Sequence, residues 1–312
     1  MIPQNRRSFL KTGALLTAAS ILPSASRAAK HNSPPKLNLF SKHLQFLDYQ
    51  EMAKVAKEIG FDGIDLTVRP RGHVLPEKVD TDLPRAAEAV RAEGLDLKMM
   101  TTAVDDASKP LDRLVLKTAA SEGITHYRMN WYRYNKESPL PETLERCRQK
   151  IVALGELNKE LGLTGCYQNH SGFLVGASIW EVWKILQGSL PSHMGAQYDI
   201  RHATVEGGRS WPNGYRLISP RIRSIAIKDF RWEGKGSSTK LFNTPLGEGM
   251  VDFKKYFRLL KTSNIEVPIS MHYEYDLGGA DKGKRELSIS RDAVYEAMRK
   301  DIATFKRLWK EA

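Results

Sequence analysis

The chain has 312 residues, of which 41% are hydrophobic and 27% charged, with 23 Gly and 15 Pro; these proportions exclude a collagen-like, low-complexity or disulfide-stapled protein. The formal charge is +12, but Arg6, Arg7, Lys11 and Arg27 stand in an N-terminal stretch without acids, so subtracting these four leaves +8 beyond residue 28. The remaining bases are interspersed with acids and form no basic block, which argues against nucleic acid as a partner.

Residues 1–28 read as an export signal. Asn5-Arg6-Arg7-Ser8-Phe9-Leu10-Lys11 precedes the apolar run TGALLTAASIL and a small-residue end at Ser26-Arg27-Ala28. The arginine pair with Phe-Leu-Lys resembles the twin-arginine type, with Asn5 where Ser or Thr is usual, so the expected location is periplasmic or otherwise exported. Residues 29–35 read as a linker, and beyond the signal no apolar run reaches the roughly 20 residues of a membrane span.

From residue 36 onwards, short apolar strands alternate with amphipathic helices. Strand patterns begin with KLNLFS at 36, DGIDLT at 62, LDLKMMTT at 95 and THYRMNWY at 125. Four more follow with TGCYQN at 164, GAQYDI at 195, IRSIAIKD at 222 and VPISMHYEY at 267. Between them run helical patterns such as YQEMAKVAKEIG, DLPRAAEAVRAEGL, RLVLKTAASEGI and FKKYFRLLKTS, several closed by Gly. Cys147 falls in a helix and Cys166 in the next strand, where two buried thiols or one bridge are both allowed.

Strand–helix alternation gives a parallel sheet, and eight such units over residues 36–312 fit one (β/α)8 barrel, an eight-stranded α/β TIM barrel. A doubly wound sheet is the alternative, but no G-x-G-x-x-G follows the first strand. The Gly-rich stretch 232–249 reads as an elaborated loop after the seventh strand.

In such a barrel the chemistry sits at the C-terminal strand ends. There the sequence places Arg69 and His73, then Asn169 and His170, Asp199, Arg201 and His202, Lys228 and Asp229, and finally His272 with Glu274. His272 and Glu274 share one face at period two, and two ionisable groups facing a packed barrel are costly unless they line a site. For Asp199 the competing reading is a helix N-cap, and for Lys228 with Asp229 a rim ion pair. Arg201 and His202 could equally be solvated loop residues. Trp131, Tyr132 and Tyr134 lie near the fourth strand's end, where aromatic rings stack on sugars or simply fill a core.

GFDGIDL at 60–66, QNH at 168–170, YDIRH at 198–202, IKD at 227–229, PLGEGMVDF at 245–253 and SMHYEY at 270–275 resemble the xylose isomerase-like sugar phosphate isomerase/epimerase family over about residues 36–310. The resemblance implies a metal quartet of Glu, Asp, His and Glu from strands five to eight. Carried over, those positions are Gln168, Asp199, Ala226 and His272, so only Asp199 is kept and Ala226 cannot ligate. Two readings stay open. Either Gln168, Asp199 and His272 hold one divalent ion of the Mn, Co or Zn type, completed by His170, His202 or Glu274, or the metal is lost.

The resemblance further implies sugar isomerisation or epimerisation by removal of a proton next to a carbonyl. Glu274 and His170 are the candidate bases and Lys228 the oxyanion stabiliser. Arg69, His73, Asn169, Arg201, His202 and Asp229 are the candidate substrate binders. Export points to a non-phosphorylated sugar or sugar derivative. The alternatives are a 3-keto-glycoside lyase or hydrolase on the same scaffold, and a non-catalytic sugar-binding barrel. A homodimer is a family-level expectation.

Overall fold

The first barrel strand, β1 (Leu37–Phe40), is buried along its whole length, because helices cover the outside of the barrel while neighbouring strands fill its inside. The same holds for β2 (Gly63–Val68) and β6 (Met194–Asp199), which is why these segments are near-continuous apolar runs rather than alternating ones. The computed structural model describes residues 33–135 and 137–312, so the expected export signal and its expected cleavage position lie outside the described residues.

The other barrel strands are β3 (Asp96–Thr102), β4 (His126–Arg128), β5 (Thr164–Gln168), β7 (Ile222–Ile227) and β10 (Ile269–Met271). Eight parallel strands close in the order β1-β10-β7-β6-β5-β4-β3-β2, with β1 pairing both β2 and β10. This is the (β/α)8 barrel expected. The Gly-rich insertion folds as an antiparallel hairpin, β8 (Asp229–Glu233) with β9 (Lys240–Thr244), outside the barrel sheet.

Around the barrel run α1 (Tyr49–Ile59), α2 (Val79–Ala92), α3 (Pro110–Ser121), α4 (Leu140–Leu161), α5 (Ile179–Ile185), α6 (Ile200–Gly207), α7 (Trp211–Ile218), α8 (Phe253–Thr262) and α9 (Arg291–Glu311). Asp48 opens α1 by accepting the Glu51 N–H at 2.8 Å, and Gly60, at φ 106°, closes it. Helix α2 begins three residues before the expected DLPRAAEAV pattern, at Val79, and carries Pro84 within it. None of the helices among the described residues is long and apolar enough to cross a membrane. Cys147 and Cys166 are both free and buried.

Two strands are shorter than their sequence patterns. β4 ends at Arg128 and β10 at Met271, so His272 and Glu274 stand beyond the last strand rather than in it. Alternation nevertheless persists: His272 donates its N–H to the Ile227 carbonyl at 2.9 Å, and Tyr273 turns away to pack edge-on against His43 and Phe61.

Candidate active site

At the C-terminal end of the barrel, two carboxylate–ammonium pairs come from two seams that flank the β10–β7 pairing. At the β1–β10 seam, Lys42, in the 3-10 turn Ser41–Leu44, donates to both Oε atoms of Glu274 at 3.0 Å. At the β6–β7 seam, Lys228 Nζ lies 3.2 Å from Asp199 Oδ2. Burial alone would raise the Glu274 carboxyl, but the nearby His272 imidazole and the Lys228 and Lys42 ammoniums outweigh it and hold the group well below the usual carboxylate range. The His272 ring stands 3.8 Å away, too far for a hydrogen bond, so Lys42 is the partner in contact.

Asp199 is more heavily committed. One oxygen accepts the His202 N–H at 3.1 Å and caps α6; the other accepts Gln168 Nε2 at 2.9 Å. The N-cap is therefore observed, and the same carboxylate also faces Lys228. Gln168 is in turn fixed by Arg128, whose Nη1 donates to its Oε1 at 2.9 Å.

The imidazoles are neutral. Burial, with the charge of Lys228 adding to it, pushes His170 down to about 4, and burial pushes His272 down to about 3. His202 Nδ1 accepts the Ser171 N–H at 3.1 Å, which puts its proton on Nε2, 3.7 Å from Asp199 and without a hydrogen-bond partner. His170 lies on the His202 ring at 3.9 Å and meets Trp131 edge-on at 4.7 Å. His272 stacks on Phe40 at 4.2 Å, with both ring nitrogens unbonded.

Four predicted binders turn out to be braces. Asn169 exchanges two hydrogen bonds with the Asp199 backbone, at 2.8 and 2.9 Å, and so ties the ends of β5 and β6. Asp229 accepts the N–H groups of Phe230, Gly247, Gly249 and Val251, which organises PLGEG-x-V around its carboxylate. A Cβ at Gly249 would run into that carboxylate and the Phe230 carbonyl. His73 spends one ring nitrogen on Ser41 Oγ at 3.1 Å and the other on the Leu44 carbonyl at 3.2 Å. Arg201 is neither solvated nor free: it reaches Asn243 at 2.7 Å and Ser171 at 3.1 Å, pinning the hairpin over the barrel. Arg69, by contrast, does face the cluster, 5.4 Å over the Phe40 ring.

Phe40, Lys42, Arg128 and Asn243 belong to this site and escape the sequence reading. The rule that found the others, polar residues just past a strand, applies equally to Lys42 after β1 and Arg128 at the end of β4. Asn243 is held by Arg201 and donates to the Glu274 carbonyl at 3.1 Å, so the hairpin is tied to the backbone of Glu274.

The metal positions implied by the fold do not fit a divalent ion. Gln168 has both ends of its amide in use, Asp199 already carries an ammonium, and Ala226, beside Asp199 in register, offers no donor. Among the described residues no three His, Cys, Asp or Glu side chains gather around a point that could hold one. In place of a charged oxygen cage there is one carboxylate neutralised by Lys228.

A closed parallel barrel with acids, imidazoles and lysines gathered at its C-terminal mouth defines an α/β barrel of the enzyme-bearing type. The family described as xylose isomerase-like TIM barrel matches residues 53–297, and the chain belongs to it. Comparison with curated protein sequences gives no match. Among solved structures, the chain is similar to 3-keto-D-glucoside 4-epimerase from E. coli, at 12% identity and TM-score 0.63 over 88% of this chain and 99% of that one. It is similar too to D-allulose 3-epimerase from Methylomonas sp., at 14% identity and TM-score 0.64 over 88% and 98%. A xylose isomerase-like TIM barrel protein from Mycobacterium smegmatis, in complex with magnesium, aligns at 12% identity and TM-score 0.63 over 90% and 99%. At these identities the likeness is one of fold.

Proposed function

We propose that the protein is an exported sugar epimerase or isomerase that removes a proton from carbon next to a carbonyl of a non-phosphorylated sugar derivative. The observation that carries this reading is the Glu274 carboxylate. Its side chain is 25% exposed, where Asp199 is fully enclosed, and it stands in a mouth whose other charges surround it. Sugar epimerases among the similar structures support the reaction class, and the Arg6-Arg7 segment supports export.

The chemistry follows from the charges. Glu274 takes the proton, the C–H electron pair moves into the carbonyl, and the resulting enolate oxygen develops negative charge. Lys228 supplies the compensating positive charge: its field acts on Lys42, His170, His202, His272 and Glu274 alike. A carboxylate held this low is a weak base, so stabilisation of the oxyanion has to carry much of the barrier. Return of a proton to the opposite face of the same carbon gives the epimer, and its return to the neighbouring carbon gives the isomer. No step requires a bound ion.

The test is proton NMR in D2O on purified protein with a panel of ketoses, aldoses and 3-keto-glycosides. Deuterium entering next to the carbonyl, and its loss in Glu274→Gln, is the expected result. Aglycone release from a 3-keto-glycoside would reassign the enzyme as a lyase. Folded protein that exchanges no substrate proton would overturn enzymatic turnover in favour of a binding role.

A further inference from the structure

The two ion pairs leave two guanidiniums over. Arg69 and Arg128 both sit on the Phe40 ring, at 5.4 and 5.8 Å from its centroid, and Arg128 lies on Trp131 as well, at 4.4 Å. Among the described residues, neither has a carboxylate within 4.0 Å; Arg201 has none either, but its guanidinium is spent on Asn243 and Ser171, whereas Lys42 and Lys228 are each paired with an acid. Among the described residues the Arg69 guanidinium makes no hydrogen bond; it lies over the Phe40 ring. Arg128 is 4% exposed, bonds only to Gln168, and has a buried Nε without any partner.

Three acids act on this pair from further off, Asp199 on Arg128 alone, and none is free to serve it: Asp199 is already paired with Lys228. Asp65 lies fully buried under the site, accepting Thr101 Oγ1 at 3.0 Å and Ser270 Oγ at 2.6 Å, and burial raises its carboxyl. Glu274 is held by Lys42. A buried guanidinium keeps its charge and cannot relax by losing a proton as lysine does. The faces of Phe40 and Trp131 offset part of the desolvation, but a ring quadrupole is a weaker partner than an anion. Adjacent like charges also repel: after burial, the Arg69 charge is the main reason that Arg128 falls to about 9, still a cation at neutral pH.

From this geometry we infer that Arg69 and Arg128 form the seat for an oxyanion of the substrate, so that the sugar is an acid. The inference rests on the sugar reading proposed above and adds the charge of the substrate to it. A guanidinium presents paired N–H groups that match two oxygens of one anion, and two such forks, backed by the Phe40 and Trp131 rings, can together take the two oxygens of a carboxylate. The same chemistry would take a phosphate ester, so the source of the anion has to be separated by experiment.

The measurement is the dissociation constant, by calorimetry, of a hexuronate, the matching neutral hexose and the hexose 6-phosphate, each against the full chain and against Arg69→Gln and Arg128→Gln. The hexuronate is expected to bind at least about tenfold more tightly than the hexose, as for a charge-assisted hydrogen-bonded pair. That preference should fall to within about twofold in Arg69→Gln and weaken as salt is raised. Arg128→Gln removes a buried contact to Gln168, so unfolding is followed in parallel; Arg69, which makes no hydrogen bond among the described residues, keeps the test decisive should Arg128→Gln not fold. A preference for the phosphate ester would keep the anion seat and replace the non-phosphorylated substrate. Equal binding of acid and neutral sugar, or a preference that survives both substitutions, would overturn the seat. Deuterium exchange is read separately: anion-selective binding without exchange defeats the catalytic reading alone, and exchange without anion selectivity defeats this one alone.

Discussion

The two carboxylate–ammonium pairs at the mouth have the same composition and opposite surroundings. Glu274 and Lys42 have side chains 25% and 13% exposed, and the carboxylate's hydrogen bonds come from the lysine alone. Asp199 and Lys228 are 0% and 7% exposed, and Asp199 also receives a helix N-terminus and the Gln168 amide. A carboxylate saturated by fixed donors cannot take up a proton without breaking them, whereas one held by a single flexible ammonium can. The open pair is therefore suited to move protons and the closed pair to hold a charge in place. The choice of Glu274 as base rests on that contrast more than on residue type.

The sharpest way to break the contrast is to neutralise each acid. Glu274→Gln should lower turnover by about 10²–10⁴-fold, the range for loss of a general base, with a smaller loss of stability than at Asp199 because its pair with Lys42 is the more open one. Asp199→Asn should do the reverse in kind. It strands Lys228 as a buried cation without its partner and should remove about 3–5 kcal/mol of stability, measured by urea unfolding. The double variant Asp199→Asn/Lys228→Met should recover part of that stability without recovering activity, because the unpaired charge is gone but so is the oxyanion's partner. If Glu274→Gln retained full exchange while Asp199→Asn lost it in a stable fold, the roles would have to be exchanged.

Much of the fold was legible because its strands are buried on both faces, which leaves runs such as GIDLTV and IRSIAI with few other uses. The site was legible only as a list of polar residues at strand ends. That rule cannot tell Asp199, which faces Lys228, from Asp229, which braces a loop with four backbone amides; the two differ in tertiary partners and not in local pattern. It also passed over Lys42 and Arg128. Lys42 lies in a 3-10 turn that reads as connection, and Arg128 in a segment whose aromatic residues drew the attention. In both cases it is the contacts across the barrel, to Glu274 and to Gln168 and Phe40, that give the residue its meaning.

The smallest expected effect tests the open pair from the lysine side. The base works only when ionised, so the rate falls as pH drops through the Glu274 pKa. In the wild-type protein, that acid limb lies well below the usual carboxylate range, because cations outweigh burial around this group. Lys42→Met removes one of those cations and leaves burial in place, so the Glu274 pKa rises and the acid limb should move to higher pH. Where the carboxylate of the variant is ionised it is a stronger base, so above the acid limb turnover should not fall. An acid limb that stays where it is in Lys42→Met, with the protein folded, would mean that another group sets the profile. His170, pushed down to about 4 beside Lys228, would then be the group to neutralise next.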